Sequence, residues 1–209
     1  MSDLFSKGSF VPINKVFVKE SLCALDALTE IQNKYKRMDM DTLLNEIHDS
    51  MVGDYLGFSL INTEKHGFDC KYSKSKDIFL ESKVASYYAK ELSATFNDTN
   101  LEKAAAFRSS SVWLSLSIWE SVTKLLCICY GQNEEIGDFL ENKIINRKEG
   151  SRSTQSITLS NLIFRYNFKL LAVSCTQNEL IAKLALHNRK FSELEVEDIQ
   201  TLKTFKTLL

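Results

Sequence analysis

The run Leu125-Leu126-Cys127-Ile128-Cys129-Tyr130 constrains the fold more than any other stretch of the chain. It is almost wholly apolar, as a strand covered on both faces must be. Upstream, Ser111 to Trp119 alternates. Val112, Leu114, Leu116 and Ile118 fall on one face, and Trp113, Ser115, Ser117 and Trp119 on the other. The residues ESVT turn the first strand into the second. The expected fold class is therefore α/β, a mixed central β-sheet of about five strands flanked by helices on both faces. The chain has 209 residues, 44% of them hydrophobic, enough for one substantial core. One proline, seven glycines and no repeat or low-complexity stretch leave no linker, so residues 1–209 read as a single domain.

Helical spacing is plain over Ser21–Tyr35, with Leu22, Leu25, Leu28 and Ile31 inward and Ser21 as cap, and over Asp41–Leu56, capped by Asp41. The second stripe runs through Leu43, Leu44, Ile47, Met51, Val52, Tyr55 and Leu56. Val16–Val18 reads as a short edge segment. Gly57 suits a helix end, and Phe58–Ile61 the first strand. Asn97, Asp98 and Thr99 look helix-initiating ahead of a helix over Leu101–Phe107. Later helices are expected over Glu134–Ile145 and Thr176–His187, and a last amphipathic one through Leu194, Val196, Ile199, Leu202 and Phe205. Lys169–Cys175 reads as a buried strand. Ile157–Tyr166 reads as a short strand or the start of a helix, which Ser160 would cap.

The stretch Gly67–Lys83, GFDCKYSKSKDIFLESK, reads as a β-hairpin with a polar loop. Residues i and i+2 of a strand share a face, so Glu81 and Lys83 point the same way, and Asp69 on the other arm can be brought beside them. Paired carboxylates and an ammonium suit metal-assisted phosphodiester hydrolysis. Mg²⁺ takes few protein carboxylates and fills its shell with water and phosphate oxygen. It polarises the phosphate and acidifies water, while a lysine orients that water and offsets developing charge. The plain alternative is a solvated hairpin with charged outward residues.

Asp69, then Glu81-Ser82-Lys83, resembles the D-x(n)-(D/E)-x-K signature of the PD-(D/E)xK nuclease superfamily, to which many type II restriction endonucleases belong. Phe68 stands where that signature often has proline. The resemblance spans roughly residues 41–130 and includes the order helix, hairpin, helix, strands. It implies a restriction endonuclease-like fold and Mg²⁺-dependent hydrolysis of double-stranded DNA, with Mn²⁺ as a substitute ion. It gives Asp69, Glu81 and the Ser82 carbonyl to the metal and Lys83 to the attacking water. A glutamate on the helix before the hairpin often joins such a site. Glu46 is the match by position, with Asp49 and Asp54 as weaker substitutes. His66 reads as a turn residue rather than a base.

DNA contacts are expected from Ser86, Tyr87 and Lys90, just past the catalytic strand, and from Asn97. The polar stretch 146–156 offers Arg147, Lys148, Arg152, Ser153, Thr154 and Gln155, types that read bases or hold phosphates. A flexible basic connector is the alternative for that loop. The terminal helix could pack on its own core or form a symmetric seam; cutting both strands of a palindrome calls for a homodimer. Other functions stay open: a repair or recombination nuclease of the same superfamily, or a non-catalytic DNA-binding module.

The net charge of −1 argues against a protein that coats nucleic acid non-specifically. Five cysteines without paired spacing read as reduced residues of a cytoplasmic protein, and three histidines do not cluster with them as a zinc site would require. No apolar run reaches membrane-spanning length.

Overall fold

A computed structural model describes residues 15–61, 68–74, 77–97, 99–146 and 154–198. The chain divides into two compact units, Met1–Glu46 and Ile47–Leu209. In the first, α1 spans Lys15–Tyr35. Val16–Val18 is therefore helical and not an edge segment. No helix breaker stands between Lys15 and Ser21, so the helix propagates through two β-branched residues rather than stopping at a Ser21 cap. It ends where Lys36 turns left-handed, at φ 55°. The second helix, α2 (Met40–Leu56), begins before Asp41 because Asp39 is its cap: Thr42 N donates to Asp39 Oδ2 at 2.7 Å.

The second unit is built on a mixed six-stranded sheet, one strand more than expected. Gly57, at φ 83°, ends α2 and turns the chain into β1 (Phe58–Leu60). The hairpin follows as β2 (Cys70–Tyr72) and β3 (Phe79–Ser86), each antiparallel to its predecessor. Next come β4 (Ser93–Phe96) and α3 (Leu101–Ala106), whose cap is Asn100 rather than the residues before it. The chain then enters β5 (Val112–Ser121), parallel to β3, and β6 (Lys124–Gly131), antiparallel to β5. After α4 (Glu135–Ile145) come β7 (Gln155–Thr158) and α5 (Leu159–Phe164), capped by Thr158 and not Ser160. The last elements are β8 (Lys169–Ala172), which completes the sheet beside β6, α6 (Gln177–Ala185) and a 3₁₀ turn over Arg189–Glu193. The strand order is β1-β2-β3-β5-β6-β8, with β4 and β7 forming a separate two-stranded sheet.

Both faces of the large sheet are covered. Leu114, Leu116 and Ile118 of β5 pack with Ala104, Ile136, Leu140, Leu162, Leu180 and Leu184 from α3, α4, α5 and α6. On the other face Val52 and Leu56 of α2 pack with Phe58, Cys70, Leu80, Trp119, Ile128 and Leu171. The expected last helix does not form over 194–198. Glu197 instead bridges to Leu171, and its carboxylate accepts from Tyr130 Oη at 2.5 Å and pairs with Lys169. Residues 199–209, which include Ile199, Leu202 and Phe205 of that expected helix, lie outside the described residues.

The close seat of α4 on α3 depends on Gly137. A Cβ there would lie 2.6 Å from Ala104 O and 2.7 Å from Arg108 Cγ. A backbone carbonyl cannot swing aside, so Gly137→Ala is expected to cost about 1–3 kcal/mol, the usual penalty of overpacking. Urea unfolding reads this directly. An unchanged midpoint would mean that α3 slides freely on α4.

Candidate active site

The hairpin register sets the site. Cys70 faces Leu80 across β2 and β3, so one step further Asp69 stands opposite Glu81. Asp69 is fixed at both ends: its carbonyl accepts from Ile61 N at 2.9 Å, and its Oδ2 from Ser82 N at 2.8 Å. Lys83 Nζ donates to Glu81 Oε1 at 2.6 Å. Asp69, Glu81 and Lys83 are thus brought together on one patch of sheet. Trp119 Nε1 donates to Ser117 Oγ, which donates to Lys83 O at 3.1 Å, and this anchors the lysine backbone to β5.

Two further residues enter: Lys103, which the sequence reading did not place there, and Asp49, which it offered only as a weaker substitute for Glu46. Lys103, from α3, donates to the same Glu81 Oε1 at 2.7 Å. Glu81 is 1% exposed, and its other oxygen, Oε2, is buried without a hydrogen-bond partner. Asp49, near the middle of α2, is the helix carboxylate that interacts with this cluster. Burial, then the Asp69 charge, pushes Asp49 up to about 7, while the Ser82 hydroxyl and Lys83 pull the other way. Glu46, the residue first expected in that place, is engaged elsewhere: Arg37 Nε donates to its two oxygens at 2.8 and 2.6 Å.

Asp69 is pushed up to about 6, first by burial and then by Glu81, against the pull of Lys83, the Ser82 N–H and Lys103. Burial works to lower Lys83, but Glu81, Asp69 and Asp49 outweigh it and the net shift is upward. Lys83 is therefore held as an ammonium, a donor and not a proton acceptor. Aromatic rings line the cluster: Phe96 lies 5.5 Å from Lys83 Nζ and Phe68 lies 5.9 Å from Lys103 Nζ.

No family model, curated protein or solved structure matches this chain. What the site can do rests on its own chemistry.

The fit of a divalent cation turns on the carboxylates. Among the described residues, no three His, Cys, Asp or Glu side chains converge as a ready metal shell. Glu81 faces its two lysines instead. Yet the donors are the hard oxygens that Mg²⁺ prefers, Glu81 keeps one buried oxygen unpartnered, and Asp49 and Asp69 repel each other. A cation beside them would relieve that repulsion, so the donor set fits one.

Among the described residues, those expected to meet DNA fall in several places. Ser86 closes β3 with its side chain exposed. Tyr87 turns inward: it is buried, its hydroxyl donates to Lys183 O at 3.2 Å, and its ring packs edge-on against His187. Lys90 lines a separate cavity of about 580 Å³ with His187 and Asn188. Thr154 Oγ1 donates to Asn97 Oδ1 at 3.3 Å. Gln155 opens β7 opposite Phe96, buried and with Oε1 unpartnered. Arg147, Lys148, Arg152, Ser153 and His66 lie outside the described residues.

Proposed function

We propose that the protein is a metal-dependent endonuclease that hydrolyses phosphodiester bonds of double-stranded DNA, in its specific form a type II restriction enzyme. The observation that carries this reading is the juxtaposition of Asp69 and Glu81 across the hairpin with Lys83 on the same patch. It is supported by chain order. Helix α2, the antiparallel β1-β2-β3 and α3 leading to a β5 parallel to β3 follow the sequence of elements on which the PD-(D/E)xK resemblance rests. Asp69 and Glu81, with Asp49 beside them, would hold Mg²⁺ or Mn²⁺. When bound, the ion supplies Lewis-acid polarisation of the phosphate and a more acidic water.

The chain's own residues do the rest. Lys83, kept protonated by three carboxylates, orients the attacking water and offsets charge growing on the phosphate. The water gives a proton to solvent as its oxygen bonds to phosphorus, the P–O3′ bond breaks in line, and the O3′ leaving group takes a proton back from solvent, so the products are a 5′-phosphate and a 3′-hydroxyl. The Ser82 N–H holds Asp69 in its orientation throughout. Cutting both strands of a palindromic site requires a second copy of the chain.

Incubating supercoiled plasmid with the protein in Mg²⁺ and in EDTA tests the reading. Cleavage in Mg²⁺ alone is expected, and discrete bands identify the restriction form. A smear retains the nuclease and rejects site specificity. Intact plasmid under both conditions rejects catalysis in favour of a binding module.

A further inference from the structure

Glu81 carries more cation than a buried carboxylate needs, and carries it on one oxygen. Lys83 and Lys103 both donate to Oε1, at 2.6 and 2.7 Å, while buried Oε2 has no partner. A second counterion serving the fold alone would go to the empty oxygen, because a buried acceptor without a donor is destabilising. The two lysines also differ in surroundings. Lys83 has Asp69 and Asp49 acting on it besides Glu81. Lys103 comes from a different element, α3, and lies beside the Phe68 ring, while the two side chains are about equally exposed, at 24% and 20%. The cluster sets three carboxylates, Asp49, Asp69 and Glu81, against two ammoniums. Fully ionised it carries one net negative charge. A divalent cation would turn that into one net positive charge, which a single phosphodiester neutralises.

Resting on the nuclease reading, we infer that Lys103 binds the backbone phosphate at the cleavage point, and that Glu81 holds it in reserve until a divalent ion takes that carboxylate. Without the ion the Lys103 ammonium is neutralised by Glu81 and offers DNA little charge. With an ion held by Asp69 and Glu81, Lys83 would keep the charge of Asp49 beside it, and Lys103 would be the ammonium set free. A released lysine beside a phosphodiester makes a charge-assisted hydrogen bond and displaces a condensed counterion.

The test reads binding rather than turnover. Affinity for a labelled DNA duplex is measured by fluorescence anisotropy over a range of KCl, in CaCl₂ and in EDTA, with the duplex checked for intactness. In CaCl₂ the slope of log K against log[KCl] should be shallower by about one for Lys103→Met than for the wild type. In EDTA the slopes of the two should coincide, and Lys103→Arg should restore the wild-type slope in CaCl₂. Should Lys103→Met fail to fold, Lys103→Gln takes its place, since it keeps a donor for Glu81 but no charge. Equal slopes in CaCl₂ from folded proteins would overturn the inference and leave Lys103 as a counterion of Glu81. If the wild type cuts DNA and gains affinity with CaCl₂ while the variants match it, the Lys103 role alone is rejected. A wild type that neither cuts nor responds to CaCl₂ rejects the nuclease reading as well.

Discussion

Lys83→Ala is expected to lower the rate of plasmid cleavage by about 10²–10³-fold, the usual effect of removing one preorganised donor from a site where negative charge develops. The substitution removes the ammonium but leaves the strand intact, because the contact that anchors this position is to the Lys83 carbonyl, from Ser117 Oγ. Glu81 is not stranded either: Lys103 still donates to its Oε1. The rate should fall with β3 still paired to β5, and the melting temperature in EDTA should also drop, because Asp69 and Asp49 lose the charge that offsets theirs. Initial rates at saturating Mg²⁺, with a thermal melt of the same protein in EDTA, make the measurement. Lys83→Arg keeps the charge but spreads it over a planar fork, so it should restore only part of the rate. A Lys83→Ala protein that cuts at the wild-type rate would remove Lys83 from the reaction and with it the proposed site.

Why Lys83 was visible in the sequence and Lys103 was not is a matter of range. Glu81 and Lys83 are two residues apart on one strand, so the period of a strand alone puts them together. Asp69 needs only the hairpin in addition. Lys103 reaches Glu81 from twenty-two residues away, across a crossover whose docking depends on Gly137 and Ala104. The one local hint is a lysine followed by three alanines in α3, and composition alone does not aim it. The helix carboxylate shows the same limit. Glu46 and Asp49 lie three residues apart on α2, nearly one turn, and periodicity does not choose between them. Arg37 decides for Glu46 by binding it.

The fold divides along the same line. Strand β5 was legible from its alternation, and β6 from the near-continuous apolar run that burial on both faces leaves. The pair β4 and β7 was not. SATF and QSIT are four residues each, with two and three of them polar, and acquire their identity by pairing with each other across some sixty positions. Tyr87 read as a DNA-facing hydroxyl because it comes straight after the strand that carries Lys83, among Ser86, Tyr88 and Lys90. Only α6, arriving nearly a hundred residues later, supplies the Lys183 carbonyl that draws it in.

Asp69→Asn is expected to stabilise the metal-free protein at pH 8 and to abolish its response to Mg²⁺. In the folded chain Asp69 is raised from 3.8 to about 6 and Asp49 from 3.8 to about 7. A folded state that holds protons more tightly than the unfolded one is favoured while those protons are bound. These acids therefore favour the fold most below about pH 4, lose that contribution as pH rises through 6 and 7, and oppose folding at pH 8. For Asp69 the shift corresponds to about 3 kcal/mol. At roughly 2–4 °C per kcal/mol for a chain of this size, Asp69→Asn should melt about 6–12 °C above the wild type at pH 8 in EDTA. The gap should close towards pH 4. Asparagine keeps an oxygen for the Ser82 N–H, so the hairpin geometry survives the change. Adding Mg²⁺ at a hundredfold excess over its dissociation constant stabilises a binding protein by about 2.7 kcal/mol. The wild type should gain that and the variant should not, so the order of the two melts narrows or reverses when the ion is present. A wild-type melt indifferent to Mg²⁺ at pH 8 would mean that the repulsion between Asp49 and Asp69 serves no cation. The cluster would then be an ion-pair network of the fold, with Lys83 and Lys103 as its counterions.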